Sequence, residues 1–120
     1  MNPFTLAMLR TVVTPYYSPK AIDDDTAVSI WASTAASLLT HIKDENSMLS
    51  QITKDIEKDV IEEFILDGLE VIKYMKDSSE FRMWLENEVI RLEIFPDVKT
   101  MKLECVKAQI ALSTFLANMN

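Results

Sequence analysis

Hydrophobic residues return at steps of three and four along most of this chain, the spacing that lines one stripe of an α-helix. The longest such run covers residues 47–76, where Leu49, Ile52, Ile56, Val60, Phe64, Ile65, Leu69, Ile72 and Met75 keep the period. Asp55, Glu57, Asp59, Glu62, Glu63, Asp67 and Glu70 fill the faces between them. The pattern predicts one long helix, apolar on one side and anionic on the other. Gly68 inside it marks a close helix crossing or a bend, so two helices divided near Gly68 are the alternative.

Shorter runs flank this one. Asn2 and Pro3 suit a helix cap and first helical position, and Phe4, Met8, Leu9 and Val12 form a brief stripe. That helix should stop near Val13, because Pro15 disfavours helix at Thr14. Residues 16–22 read as a loop, with Pro15 and Pro19 imposing extended geometry and Tyr16 and Tyr17 side by side. Asp23, Asp24 and Asp25 suit the N-terminus of a helix ending near Lys43. Its core stripe is Val28, Trp31, Ala35, Leu38, Leu39 and Ile42, with small Ser, Ala and Thr residues beside it.

Asn46 or Ser47 can cap the 47–76 run. Asp77 to Glu80 fits a capping box for a helix reaching about Ile94, with Phe81, Trp84, Leu85, Val89 and Leu92 inward and an Arg82–Glu86 surface pair. Pro96 and Asp97 then open a last helix. There Val98, Met101, Cys105, Ala108, Leu112, Phe115 and Met119 alternate strictly by three and four. Ile110, Ala111, Leu116 and Ala117 add a second apolar face, and no charge occurs from Ala108 to Asn120. A helix apolar on most sides is normally enclosed. This tail is therefore either the central helix of the bundle or half of a subunit contact. Ala108, Leu112, Phe115, Leu116 and Met119 would form that contact.

These elements define an all-α fold, a bundle of four to five helices with short connections, in a single domain over residues 1–120. Residues 1–22 pack on the bundle or reach out as an arm. The chain has a single glycine, whereas sheet-rich folds need more turn glycines than that.

Charge sharpens the picture. Of a net −7, the whole imbalance sits in residues 44–70, which hold nine acids and two bases. Binding to duplex nucleic acid requires phosphate neutralisation by Lys and Arg, so direct binding is not expected. No apolar run approaches the ~20 residues of a membrane span. Residues 1–13 lack a basic leader and a small-residue cleavage site, so a signal peptide is not expected. The lone Cys105 falls on an apolar stripe and reads as a small buried hydrophobe in a reducing, cytoplasmic setting.

Candidate chemistry is sparse. The triple aspartate lacks the alternating ligands, glycine turn and distal glutamate of a calcium loop. His41 is the only histidine and has no metal-ligand companion. Phosphate-loop, dinucleotide-turn and Cys-x-x-Cys motifs are missing. The acids of 55–70 invite comparison with all-α nucleotide pyrophosphohydrolases. Those need a second inward acidic motif, and Glu86 and Glu88, two apart, point to different helix faces. No catalytic residue, cofactor or metal is expected.

The pattern, charge and sparse chemistry together read as a non-enzymatic helical interaction module, an adaptor or regulator that self-associates and binds a protein partner with a basic surface. Asp55, Asp59, Glu62, Glu63, Asp67 and Glu70 would carry that contact, with Tyr16 and Tyr17 as aromatic anchors. Small acidic helical proteins are common in phages and viruses, an analogy of size and composition only. The alternatives are an acidic mimic blocking a nucleic-acid-binding protein, and a metal-dependent all-α hydrolase.

Overall fold

The computed structural model describes residues 1–17 and 23–119, and the expected loop conformation of 18–22, Pro19 included, lies outside them. Six α-helices succeed one another: α1 (Pro3–Val13), α2 (Asp24–Lys43), α3 (Met48–Ile52), α4 (Asp55–Tyr74), α5 (Ser78–Arg91) and α6 (Val98–Asn118). A single 3-10 turn, Thr14–Tyr16, extends α1. Among the described residues there is no strand, and no helix is long and apolar enough to cross a membrane.

Local chemistry sets most boundaries where the sequence places them. The side chains of Asn2, Asp23, Asp77 and Asp97 each accept a backbone N–H at the start of α1, α2, α5 and α6. Those bonds hold the Asp23 and Asp97 carboxyls below their ordinary range, and the Ser79 hydroxyl, then its N–H, does the same for Asp77. Asp77 and Glu80 complete the capping box. The end of α5 is a Schellman closure: Ile94 N–H donates to the Val89 carbonyl at 2.9 Å and Glu93 N–H to that of Ile90 at 3.0 Å. Glu93 occupies the left-handed position usual for glycine, with φ 57°.

The 47–76 run is the main departure. It divides at Thr53 and Lys54, both extended, rather than at Gly68, and this makes the bundle six-helical instead of four- or five-helical. The Thr53 hydroxyl donates to the Leu49 carbonyl at 2.7 Å and closes α3. The break resets the helical phase. Ile52 and Ile56 face water, Ile56 at 72% exposure, while Ile61, Phe64, Ile65 and Gly68 are buried. Ile61, not Val60, begins the inward stripe.

α2, α4 and α5 pack on one another. Trp31 of α2, fully buried, lies 4.9 Å from Phe81, 5.9 Å from Phe64 and 6.1 Å from Trp84 between ring centroids. Gly68 is the floor of this cluster: a Cβ there would stand 2.3 Å from Trp31 Cη2 and 2.9 Å from Trp84 Cη2. Arg82 pairs with Asp24 of α2 at 3.2 Å rather than with Glu86. α1 contributes Met8, Leu9, Val12 and Val13 to the same core and is no detached arm. Phe4 points outward. Arg10 donates to the Ile94 carbonyl at 3.1 Å and covers the Phe95 ring.

The backbone predicts two substitutions of opposite sign. Gly68→Ala drives a methyl into a ring held by its neighbours and should lower unfolding free energy by about 2–3 kcal/mol in urea melts, despite alanine's better helix propensity. Glu93→Gly relieves the left-handed strain of a side chain and should raise stability by about 1 kcal/mol in the same assay.

Candidate functional site

α6 is anchored for its first three turns only. Met101 and Cys105 are buried, and α6 packs on the Thr14–Tyr16 turn. Lys102 reaches Glu86 at 3.7 Å, and Gln109 Nε2 donates to the Thr14 carbonyl at 3.4 Å. Burial raises the Cys105 thiol above its ordinary range, as expected of an inert buried cysteine.

Beyond Gln109 the helix leaves the body. Ile110 (53%), Leu112 (52%), Phe115 (62%), Leu116 (52%) and Met119 (67%) are all exposed. The expected alternative of a central bundle helix is thereby corrected, because α6 gives the core only Met101 and Cys105 from its first turns and the rest of the core comes from the other elements. A radius of gyration of 14.4 Å fits a protruding end, against roughly 13.6 Å for a compact chain of this length. Where the tail departs, Ala108 and Leu112 face Thr11, Thr14 and Pro15 across a concave corner of about 220 Å³.

The six acids proposed for a partner lie on the surface of α4 but do not form one row. Asp55, Asp59 and Glu62 border a groove that also holds Lys43 and Lys58, and Lys43 pairs with Glu62 at 3.4 Å. Asp67 and Glu70 face a second, open cleft of about 580 Å³ between α4 and α5, with Tyr74, Trp84, Glu88 and Arg91. Glu63 is exposed between the two groups. Glu57 is withdrawn from the anionic face altogether. It accepts the backbone N–H of Asn2 at 2.9 Å, the Asn2 amide at 2.6 Å and the Thr5 hydroxyl, and so straps α1 to α4.

The two tyrosines differ in exposure. Tyr16 is buried at 4% exposure, 5.7 Å from the Phe81 ring, and its hydroxyl has no partner among the described residues. Burial, reinforced by the Asp24 charge, pushes its phenol up to about 12. Tyr17 is half-buried and donates to Glu86 at 3.1 Å; burial and then the Glu86 charge raise it as well. Both rings cover the edge of the core.

Nothing in the periodicity signals one further feature, an apolar recess of about 490 Å³ between α1 and α2, bordered by Met8, Thr11, Val12, Ser37, Leu38 and His41. It lies where the short side chains of Ser33, Thr34 and Ser37 on α2 face α1. His41 is exposed at its rim. Glu86 and Glu88 diverge, the first toward Tyr17 and Lys102 and the second toward Arg91. Among the described residues, no three His, Cys, Asp or Glu side chains gather in a way that could hold a metal.

The arrangement belongs to the class of helical bundles with an apolar helix projecting from the body. Comparison with protein-family models, curated proteins and solved structures gives no match, so no relative assigns a role to these residues.

Glu57 generates a pH prediction. The Thr5 hydroxyl and then the Asn2 N–H hold its carboxyl below the ordinary value of 4.5. A depressed carboxyl stabilises the fold above the unfolded value and loses that contribution as pH falls through the folded value. Glu57→Gln should therefore melt below the native chain at pH 7. The gap should close as both are titrated below pH 4.5.

Proposed function

We propose that this chain is a non-enzymatic helical interaction module, an adaptor or regulator that self-associates through the end of α6 and offers the anionic face of α4 to a basic protein surface. The observation that carries the reading is the tail. Five large apolar side chains on a charge-free helix end are half or more exposed. Leu112, Phe115, Leu116 and Met119 lie side by side on it, a cluster of exposed apolar side chains rather than scattered single ones. The corner beside Ala108 and Leu112 enlarges that surface.

The anionic surface supports a second, polar contact. Asp67 and Glu70 stand beside Trp84 and Tyr74, a combination suited to Lys or Arg side chains through charge and ring faces. Lys43 and Lys58 interrupt the acids at the other end of α4, which weighs against a continuous phosphate-like row and hence against nucleic-acid mimicry. The divergence of Glu86 and Glu88 weighs against a two-motif metal hydrolase. A buried, unpaired Cys105 accords with a reducing cytoplasm.

Truncation after Lys107 tests the reading. The shortened chain should keep its cooperative melt within about 4 °C of the full chain, equivalent to roughly 1 kcal/mol, while losing self-association in sedimentation. Loss of the cooperative transition would make the tail part of the folding core and overturn the reading.

A further inference from the structure

We propose that the α6 tails of two copies pair antiparallel about a two-fold axis, Leu112 of each against Phe115 of the other, with Met119 of each seated in the corner between α1 and α6 of its partner. This rests on the self-association reading and specifies its geometry.

The seam is the first argument. Met101, Cys105, Ala108, Leu112, Phe115 and Met119 keep the three-four steps of a heptad stripe. The body covers the first two. The rest of the same face runs on past the body, uncovered, and the corner formed with Thr11, Thr14 and Pro15 lies directly on it.

Symmetry is the second. The open positions 108, 112, 115 and 119 are spaced four, three, four, which reads the same in either direction. An antiparallel partner therefore sets Met119 opposite Ala108 and Leu112 opposite Phe115, large against small at the ends and two large residues at the centre. Each residue meets the other twice, as a closed two-fold contact requires. The small Ala108 leaves the corner open, and its volume of about 220 Å³ suits one thioether side chain.

A parallel pair fails on size and charge. Packed helices lie about 8–10 Å apart. Because the open seam faces the side on which α6 meets its own body, a parallel partner would bring a second body into the same space. It would also press together two chains of net charge −7. The antiparallel arrangement sends the bodies to opposite ends and leaves the α4 surface free. The seam side chains Leu112, Phe115 and Met119 expose well under the ~800 Å² per partner of a standard interface, so the dimer should be a weak one.

Two variants that each add one cysteine, Ala108→Cys and Met119→Cys, distinguish the arrangements, since the buried Cys105 does not compete. Oxidised as an equimolar mixture, they should form a covalent mixed dimer. Neither should cross-link alone, because like positions sit eleven residues out of register, about 16 Å along the axis. Leu112→Asp with Phe115→Asp should return the mass to 13.7 kDa while the cooperative melt of the body is kept. A native monomer at about 100 µM, self-cross-linking of Met119→Cys, or a mixture that fails to cross-link would each overturn the proposal. If the native chain is monomeric while the chain truncated after Lys107 still folds, the pairing falls and the tail remains an external docking element. If the truncated chain unfolds, both fall.

Discussion

A buried indole needs a partner surface as flat as itself, and in this bundle only a glycine provides one. Trp31 reaches from α2 across α4 at Gly68, and Phe64, Phe81 and Trp84 close around it. Phe64 and Trp84 stack with an interplanar angle of 24°, while Trp31 meets its three neighbours edge-on, the geometries that ring quadrupoles favour. The cluster ties α2, α4 and α5 together through these rings. It tolerates a cost as well: Trp31 Nε1 is buried without a hydrogen-bond partner among the described residues, a loss of about 1–3 kcal/mol. The area of four large rings outweighs that, and the crossing angle, the core and the order of the outer helices all depend on it.

Much of this was written in the sequence in local terms. Capping residues carry their own geometry, so Asn2, Asp23, Asp77 and Asp97 marked helix starts without knowledge of the fold. The α2 stripe was legible because twenty residues keep one phase. α4 misled because its apolar period runs smoothly backward across Thr53, where neither glycine nor proline announces a break. A one-residue change of phase turns a helical face by about 100°, enough to carry Ile56 out to water and Ile61 into the core. Gly68 held the missing signal. Counted as a stripe member, it completes Ile61, Phe64, Ile65, Gly68, Ile72 and Met75 as one helical face.

The exposure of the surfaces proposed for interaction was less legible, for a different reason. Periodicity says that a face is apolar, not whether the rest of the chain has room to cover it. The tyrosines illustrate one error: next to Pro15, in a 3-10 turn, Tyr16 is directed into the aromatic core instead of outward. The tail illustrates the other. Its residues look like core material, yet α1 and the Thr14–Tyr16 turn already close the side of the body on which α6 docks. Coverage is a property of the whole packing arrangement and has no local signature.

The position of the charges on α6 fits this division between anchor and tail. Lys99, Lys102, Glu104 and Lys107 all precede Ala108, on the part of the helix that the body supports. The remaining segment, which includes Ser113, Thr114 and Asn118, is about a dozen residues long, no more than the length at which an isolated helix is marginal in water. Such a segment stays helical because the anchored turns supply the nucleus and each further residue only propagates it. Its end is therefore the least supported part of α6, and any surface that covers the Leu112–Phe115 face adds order as well as contact. Covering that face and propagating the helix would then be one equilibrium, set by side chains that lie outside the Trp31 ring cluster.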